Sequence, residues 1–272
     1  MVTQSLGPLL VIGGAEDKKD EQVILREFVR LAGGDAARLV IMTVATEHPH
    51  EVGEDYTRIF RALMQDVGPE QIQCVHIESR EEAQNERALA AIEAATGVFF
   101  TGGDQFRITS LLGGTKVDTL LHARHELGLV LAGTSAGASM MSTTMIIEGS
   151  AHDTARVGMV RLGAGLEFLP GVLIDQHFAQ RGRINRLLSA IAEYPHHLGV
   201  GIDEDTAMVV HGHEFEVIGT GSVTVIDAAD VTDTNVHLLD RHEHLAICNV
   251  KLHILTPGYG FNLRDRIPRK TV

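Results

Sequence analysis

The sequence predicts an α/β protein with a doubly wound, mainly parallel sheet and an antiparallel C-terminal extension. Two observations support this. Short apolar runs alternate with segments of helical period up to residue 202, whereas beyond residue 203 strand-like runs follow one another closely, with Gly and Asp turns between them. The first pattern is typical of parallel strands joined by helices, and the second of antiparallel pairs. Because no Pro/Ser-rich linker or charge block separates the two parts, we expect residues 1–272 to form a single domain.

Each element follows from a local pattern. Predicted strands are short runs rich in β-branched and apolar residues, and predicted helices repeat apolar residues at three and four positions. In the first part the strands, each with the helix or helices that follow it, are residues 9–12 with 21–31, 38–44 with 55–67, 74–77 with 83–95, 98–101 with 108–112 and 117–126, and 129–132 with the segment after Ser135. Next come a strand at 171–174, a helix at 184–191 and a strand at 198–202. The strands of the extension are 207–210, 214–219, 223–227 and 250–255.

Composition narrows the classes of function. A chain of 272 residues with 44% hydrophobic and 22% charged residues can bury a full core in one large domain. The formal charge of −13 argues against a nucleic-acid partner, because a protein that binds nucleic acid needs a basic surface to neutralise the phosphates. Two cysteines, Cys74 and Cys248, are too few for a disulfide framework and indicate free thiols in a reducing compartment. With no apolar stretch of membrane-spanning length, we expect a cytoplasmic protein with no membrane partner.

Polar or glycine-rich clusters follow five of the predicted strands. Ligands of an open parallel sheet bind beyond the carboxyl ends of its strands, so we expect these clusters to meet on one rim. The clusters are residues 13–17, 101–105, Ser135, 175–177 and 203–205.

Ser135 lies at the centre of Gly-Thr-Ser-Ala-Gly, residues 133–137, directly after an apolar strand. This is the pattern of a nucleophile elbow, a sharp strand-to-helix turn that exposes the serine hydroxyl and needs small neighbours. The helix that follows directs free N–H groups towards a developing oxyanion. The alternative is a glycine-rich turn that only packs a helix closely on the sheet.

His177 and Glu204 are the predicted partners of Ser135. His177 follows an apolar strand and would accept the serine proton, and Glu204 follows the strand at 198–202 and would hold the imidazole. Asp203 and Asp205 compete with Glu204 for that role. The order serine, histidine, acid differs from the order serine, acid, histidine of the α/β-hydrolases, so a flavodoxin-like peptidase fits better.

Five segments together resemble the cyanophycinase family of serine peptidases, which is related to aspartyl dipeptidase. They are residues 13–18, 101–105, 133–139, 175–183 and 201–207, and they occur in the family's order. The resemblance implies that Ser135 is the nucleophile, His177 the general base and Glu204 the acid. It implies as substrate the polymer cyanophycin, a poly-aspartate chain that carries an arginine on each β-carboxyl, with release of β-Asp-Arg dipeptides, and it implies a homodimer. Beyond residue 207 only length and strand-rich character match.

Several further residues are candidates for contact with such a substrate. Arginines after His177 would bind its carboxylates in a bidentate manner, and nearby acid and amide side chains would bind its guanidinium or amide groups. The candidates are Arg181, Arg183, Arg186, Asp175, Gln105 and Gln176. The backbone N–H groups of Ala136 and Gly103 would form the oxyanion hole. The alternative for the arginines is that they open the helix at 184–191 and face water.

Other functions are less well supported by the residues. His211 with His213, and His242 with His244, have the spacing that places both side chains on one face of a strand. No cluster of Asp, Glu or Cys ligands accompanies them, so we expect no metal and no cofactor. The same triad would serve a dipeptidase that acts on short aspartyl or isoaspartyl peptides. A non-enzymatic flavodoxin-like protein that binds a small molecule would use the glycine-rich strand ends, which lack the known phosphate-binding patterns.

Overall fold

Five parallel strands form one half of the central sheet. The computed structural model describes residues 6–150, 154–240 and 243–271. The five strands are β1 (Leu9–Ile12), β2 (Leu39–Met42), β3 (Ile72–Val75), β4 (Gly97–Phe100) and β5 (Val130–Thr134). They lie in the spatial order β3-β2-β4-β5-β1. Every residue of β1, β2, β4 and β5 is buried, as expected for strands covered on both faces.

Helices cover both faces of these strands. They are α1 (Val23–Leu31), α2 (Pro49–Leu63), α3 (Glu86–Ala94), α4 (Gln105–Leu112) and α5 (Lys116–Glu126). On the face of α1 and α2, Phe28 and Phe60 pack their rings against Phe99 of β4, with centroid distances of 5.5 and 5.4 Å. The opposite face packs on α3, α4 and α5 through a second apolar cluster. This arrangement confirms the predicted doubly wound sheet.

Four antiparallel strands extend the same sheet beyond β1. They are β10 (Thr206–His211), β11 (Glu214–Gly219), β16 (Tyr259–Asn262) and β17 (Ile267–Lys270), in the order β1-β10-β11-β16-β17. β10 runs antiparallel to β1, with Ala207 opposite Ile12. The predicted antiparallel extension is therefore present, although two of its four strands, β16 and β17, were not predicted.

A second sheet contains the remaining predicted strands. It consists of β8 (Val172–Gln176), β9 (Leu198–Ile202), β12 (Val223–Asp227) and β15 (Lys251–Leu255), in the order β15-β12-β9-β8. Only β8 and β9 are parallel to each other. The strands at 223–227 and 250–255, predicted as part of the antiparallel extension, therefore belong to a separate sheet, because a short apolar run does not specify which strand it pairs with. Helix α7 (Ile184–Glu193) packs on this sheet, and a Cβ at Gly199 would lie 2.7 Å from Ile191, so the close packing needs that glycine.

Shorter elements complete the described chain. They are helix α6 (Ala136–Ser139), the hairpin β6 (Thr144–Gly149) and β7 (Val160–Ala164), and the pair β13 (Asp233–Thr234) and β14 (Ile247–Cys248), with 3-10 turns at Gly34–Ala36, Glu82–Gln84 and Val236–Leu238. One apolar cluster joins the two sheets, with Val40 of the first and Val200 of the second among its members. None of the helices in the described ranges has the length and apolar character needed to cross a membrane.

Candidate active site

The carboxyl ends of strands from both sheets meet at one place. The N–H of Ser135, after β5, donates to the carbonyl of Ile12 at the end of β1, at 3.0 Å. The N–H of His177, after β8, donates to the carbonyl of Gly13 at 2.8 Å, and the N–H of Phe178 donates to Ile202 at the end of β9, at 3.1 Å. The predicted clusters therefore do come together, but across two sheets and not along the rim of one.

The turn between β5 and α6 is tight and strained. Ser135 has φ 54° and ψ −107°, a conformation that L-residues rarely adopt. A Cβ at Gly133 would lie 2.1 Å from the carbonyl oxygen of Gly137, and a Cβ at Gly137 would lie 2.5 Å from the carbonyl oxygen of Phe100. The two glycines are thus required by the close approach of backbone to backbone. The strand, turn and helix predicted around Ser135 are all present.

A chain of hydrogen bonds links Ser135, His177 and Glu204. The Oγ of Ser135 lies 3.1 Å from Nε2 of His177, and Nδ1 of the same ring lies 2.5 Å from Oε1 of Glu204. A neutral imidazole that donates from Nδ1 to the carboxylate has its lone pair at Nε2, where it can accept the serine proton. The arrangement can therefore deprotonate Ser135 while the acid fixes the ring.

Burial lowers the pKa of His177 below that of an ordinary histidine. The hydrogen bond to Glu204 opposes this effect and raises the pKa, while the positive charge of Arg181 lowers it further. The lowered pKa keeps the imidazole neutral, and hence able to accept a proton, at neutral pH.

The neighbouring acids are engaged in bonds away from the histidine. Asp203 accepts hydrogen bonds from the N–H of Ala179 at 3.0 Å and the hydroxyl of Ser222 at 2.8 Å. Asp205 accepts from the N–H of Asp17 at 2.8 Å and the hydroxyl of Thr220 at 3.0 Å. Of the three consecutive acids, Glu204 is the one that contacts His177, with about a third of its side chain exposed.

Asp175, Arg183 and Arg186 have different surroundings from those that the sequence suggested. All three are buried, and Asp175 accepts hydrogen bonds from both arginines, at 2.6 Å from Nε of Arg186 and 3.2 Å from Nη1 of Arg183. Burial lowers the pKa of Arg183 to about 10, and the nearby charge of Asp175 opposes this shift. The arginines thus pair with a buried acid and not with water, and their contact with substrate stays a prediction.

Arg183 also contacts the residue beside His177. Its Nη1 donates to the backbone carbonyl of Gln176 and, at 3.2 Å, to the Oε1 of the Gln176 side chain. That same Oε1 lies 3.4 Å from the Oγ of Ser135. The buried ion-pair cluster therefore reaches the serine through Gln176.

Arg181 and Gln105 are the remaining residues for which a contact with substrate was predicted. Arg181 is exposed, and no carboxylate within the described ranges forms an ion pair with it. Gln105, at the start of α4, donates through Nε2 to the carbonyls of Ile146 and Ile147 in β6, both at 2.8 Å. Its amide nitrogen thus holds the β6–β7 hairpin, whereas the guanidinium of Arg181 is available to a ligand.

The predicted oxyanion donors are the N–H of Ala136, which directly follows the serine, and the N–H of Gly103, which follows Gly102. The N–H groups of Gly103 and Ala136 donate to no other residue in the part of the chain that the structure describes. Gly102 approaches the serine closely, since a Cβ there would lie 3.4 Å from the Cβ of Ser135, whereas a Cβ at Gly103 would lie 2.1 Å from the carbonyl oxygen of Ala45. The role of these N–H groups stays a prediction.

Sequence reasoning assigned no role to Glu16, whose side chain is 1% exposed. Its carboxylate accepts a hydrogen bond at 2.6 Å from the hydroxyl of Thr134, the residue before Ser135, and another from the hydroxyl of Tyr56 on α2. A glutamate two residues after a glycine pair at a strand end was a signal of a special position, but its partners depend on the tertiary structure.

Histidine pairs do not assemble with other ligands. Within the described residues no group of three or more His, Cys, Asp or Glu side chains could hold a metal ion. His211 is the last residue of β10, His213 lies in the turn before β11, and His242 lies outside the described residues.

Comparison with known proteins gives consistent matches. Residues 9–218 match the sequence profile of peptidase family S51. The cyanophycinase of Trichormus variabilis is 41% identical over 260 residues, which cover 95% of this chain and 86% of that protein. The cyanophycinase of Synechococcus elongatus is 41% identical over 262 residues, which cover 95% of this chain and 80% of that protein.

A solved structure shares the fold. It is the crystal structure of a peptidase from an acI-B1 Actinobacterium, which aligns with a TM-score of 0.67 over 96% of this chain and 98% of that one. Its sequence is 20% identical, so the likeness concerns the fold alone.

Proposed function

Because this chain belongs to peptidase family S51 and is a serine-type peptidase, we propose that it hydrolyses the poly-aspartate backbone of cyanophycin to β-Asp-Arg dipeptides. Ser135 is the nucleophile, His177 the general base and Glu204 the acid that orients the imidazole. The observation that carries the proposal is the continuous hydrogen-bonded chain Ser135 Oγ, His177 Nε2, His177 Nδ1 and Glu204 Oε1, with distances of 3.1 and 2.5 Å at its two links.

The first half of the reaction forms an ester. His177 Nε2 takes the hydroxyl proton of Ser135 while Oγ bonds to the carbonyl carbon of the scissile amide. The negative charge that develops on the carbonyl oxygen is stabilised by the N–H groups of Ala136 and Gly103. His177 then returns the proton to the amide nitrogen, the C–N bond breaks, and the amine product leaves an acyl group on Ser135.

The second half releases the acyl group. Water attacks the ester carbon while His177 removes a proton from it, the bond to Oγ of Ser135 breaks, and the serine regains its proton. Glu204 stays ionised throughout and stabilises the imidazolium that forms in each half. No metal or cofactor takes part in this scheme.

Charged and amide groups near His177 suit the substrate, whose repeating unit combines a guanidinium with carboxylates. Arg181 is exposed and free of an ion pair within the described ranges, which suits a carboxylate of the arginine unit. Gln176 lies beside Ser135 and would bind an amide of the backbone. The buried cluster of Asp175, Arg183 and Arg186 contacts Gln176, and Gln105 contacts β6. Direct contact of these four residues with substrate is part of the proposal.

The proposal extends to the organisation of the protein. The apolar cluster shared by the two sheets supports a single peptidase domain over residues 1–272. We also propose a homodimer, on the resemblance to the cyanophycinase family, which light scattering of the purified protein would test. Two free cysteines, the half-buried Cys74 and the exposed Cys248, suit a reducing compartment such as the cytoplasm.

Incubation with insoluble cyanophycin, followed by mass analysis of the soluble fraction, tests the function. We expect β-Asp-Arg dipeptides from the wild-type protein and none from Ser135→Ala. An untouched polymer together with cleaved aspartyl or isoaspartyl dipeptides would favour the dipeptidase alternative. A protein that cleaves neither, and that no serine-directed fluorophosphonate labels at Ser135, would be the non-enzymatic binding protein.

A further inference from the structure

We infer that Glu16 is a positioning residue, whose buried carboxylate fixes the turn that carries Ser135 relative to the loop that seats His177 and Glu204. The loop is Gly13–Asp17, directly after β1. The inference rests on the proposed role of Ser135 as nucleophile, and Glu16 itself contacts neither substrate nor a reacting atom.

The loop Gly13–Asp17 touches the segments of both proposed partners of the serine. The carbonyl of Gly13 accepts from the N–H of His177 at 2.8 Å, and the carbonyl of Gly14 accepts from the N–H of Asp205, next to Glu204, at 2.9 Å. Asp17 donates through its N–H to the side chain of Asp205 at 2.8 Å. A movement of this loop would therefore move the base and the acid together.

Glu16 connects the same loop to the serine turn. Its Oε2 accepts a hydrogen bond from the hydroxyl of Thr134 at 2.6 Å, and Thr134 immediately precedes the strained residue Ser135. The second oxygen accepts from Tyr56, which α2 holds in the apolar cluster between helix and sheet. One carboxylate thus ties together the loop after β1, the end of β5 and helix α2.

The buried carboxylate of Glu16 has hydrogen-bond donors and a positive charge close to it. Both hydroxyl partners donate to the carboxylate, and Nζ of Lys18 lies 3.7 Å from Oε1 while also lying 4.4 Å from the centre of the Tyr56 ring. Burial, with the charge of Glu16 beside it, raises the pKa of Tyr56 well above its ordinary value, so the phenol keeps the proton that it donates. A buried carboxylate without these donors would be costly, so Glu16 needs them as much as they need it.

The strain at Ser135 explains why such a tie is needed. A serine with φ 54° keeps this strained backbone conformation only where more than one contact restrains it. One restraint is the hydrogen bond from the N–H of Ser135 to the carbonyl of Ile12. The second is the hydrogen bond from the hydroxyl of Thr134, the preceding residue, to Glu16. Loss of the second restraint lets Oγ move away from His177, and a displacement of about 1 Å is expected to cost about 10²-fold in rate.

Labelling of Ser135 by a fluorophosphonate in the otherwise intact protein tests the inference. We expect Glu16→Ala to lower the second-order rate of labelling at least tenfold and kcat for dipeptide release by a similar factor, with KM little changed. Thr134→Val, which removes the direct link to the serine turn, is expected to act in the same direction. Glu16→Gln keeps an oxygen for Tyr56 and offers an N–H₂ to the Thr134 hydroxyl, so it should retain most of the rate.

A matched control separates positioning from loss of stability. Thr115 is also buried and also donates its hydroxyl in a short bond, to the carbonyl of Leu112 at 2.6 Å. It lies at the start of α5, where the same oxygen accepts from the N–H of Asp118 at 3.4 Å. All rates are taken below the unfolding transition of each variant. We expect Thr115→Val to lower the melting temperature and leave the labelling rate per folded molecule unchanged.

The outcomes distinguish the two proposals. Wild-type labelling at Ser135, with Glu16→Ala and Thr134→Val labelled at the same rate, would overturn the positioning role and leave the proposed function intact. A Glu16→Gln rate as low as that of Glu16→Ala would also overturn it, because charge and not hydrogen-bond geometry would then be the cause. Wild-type protein that takes no label at Ser135 would overturn the proposed function, and this inference with it.

Discussion

The imidazole of His177 occupies the space where the side chain of Gly14 would lie. A Cβ built on Gly14 would be 2.4 Å from Cε1 and 2.5 Å from Nε2 of the ring, and the glycine itself has φ +101°. The imidazole of His177 therefore packs directly against the backbone of the loop after β1. Any side chain there would displace the nitrogen that faces Ser135.

We expect Gly14→Ala to lower kcat/KM by about 10²-fold, because displacement of the imidazole by about 1 Å breaks the alignment of Nε2 with Ser135. Steady-state kinetics of dipeptide release measure this effect. Gly128→Ala is the matched control: Gly128 has the same φ of +101°, but no atom lies within 4 Å of the Cβ position. Both variants bear the cost of a left-handed alanine, so equal loss of activity in the two would contradict the steric explanation.

Ser135→Ala is expected to lower turnover by roughly six orders of magnitude, because the members of a triad act as a unit. Single-turnover assays with cyanophycin measure the residual rate, and the melting temperature shows that the variant is folded. Near-normal dipeptide release by this variant would remove Ser135 from the mechanism.

Ser135→Gly tests the strain of the turn. Glycine relieves a backbone strain of roughly 2 kcal/mol at φ 54° and loses about 1 kcal/mol to the greater freedom of the unfolded chain. We therefore expect Ser135→Gly to be more stable than Ser135→Ala by about 1 kcal/mol in urea denaturation. If the glycine variant is the less stable of the two, the turn is not strained in solution.

The acid limb of kcat/KM against pH should report the pKa of His177 in the free enzyme, below that of an ordinary histidine. The hydrogen bond and charge of Glu204 raise this pKa and the charge of Arg181 lowers it. Glu204→Gln should therefore move the acid limb to lower pH, along with a large loss of rate, and Arg181→Ala should move it to higher pH.

Arg181→Lys controls for charge, since it should leave the acid limb in place. The shift caused by Arg181→Ala should shrink with added salt, because Arg181 is exposed and its charge is screened. Shifts of the same sign in Glu204→Gln and Arg181→Ala would mean that the limb reports a group other than His177.

Asp175→Ala should destabilise the fold by about 3 kcal/mol or more, because it leaves two buried guanidinium groups without their shared carboxylate. Urea denaturation monitored by circular dichroism measures the change. Asp230→Ala removes an ion pair with Lys251 in which both side chains are about half exposed, and it should leave the midpoint unchanged. A stable Asp175→Ala protein would show that the cluster is not part of the structural core and would favour a direct role with substrate.

Much of the fold was predictable because the strands of the parallel half are fully buried. Continuous apolar runs such as β1 and β5 stand out when helices of regular period separate them, and the glycines around Ser135 mark the sharp turn. The same apolar character hid the pairing of β8 and β9. A strand that is apolar on both faces carries no sign of its partner, so the second sheet could not be distinguished from an extension of the first.

The candidate site, like the fold, has a part that could be predicted from the sequence and a part that could not. The residue pattern was sufficient to propose the reacting groups: a serine after a strand, a histidine and an acid at later strand ends, and their order along the chain. Folding selected which of these side chains meet. It turned Glu204, and not Asp203 or Asp205, towards His177, buried Arg183 and Arg186 against Asp175, and joined Glu16 to Thr134. The reason is that the hydrogen bonds of the site join residues 8 to 118 positions apart, at 2.5 to 3.2 Å. The bond between Ser135 and His177 depends on how the two sheets pack, and the others depend on strand pairing and turns within one sheet. A pattern of neighbouring residues encodes neither.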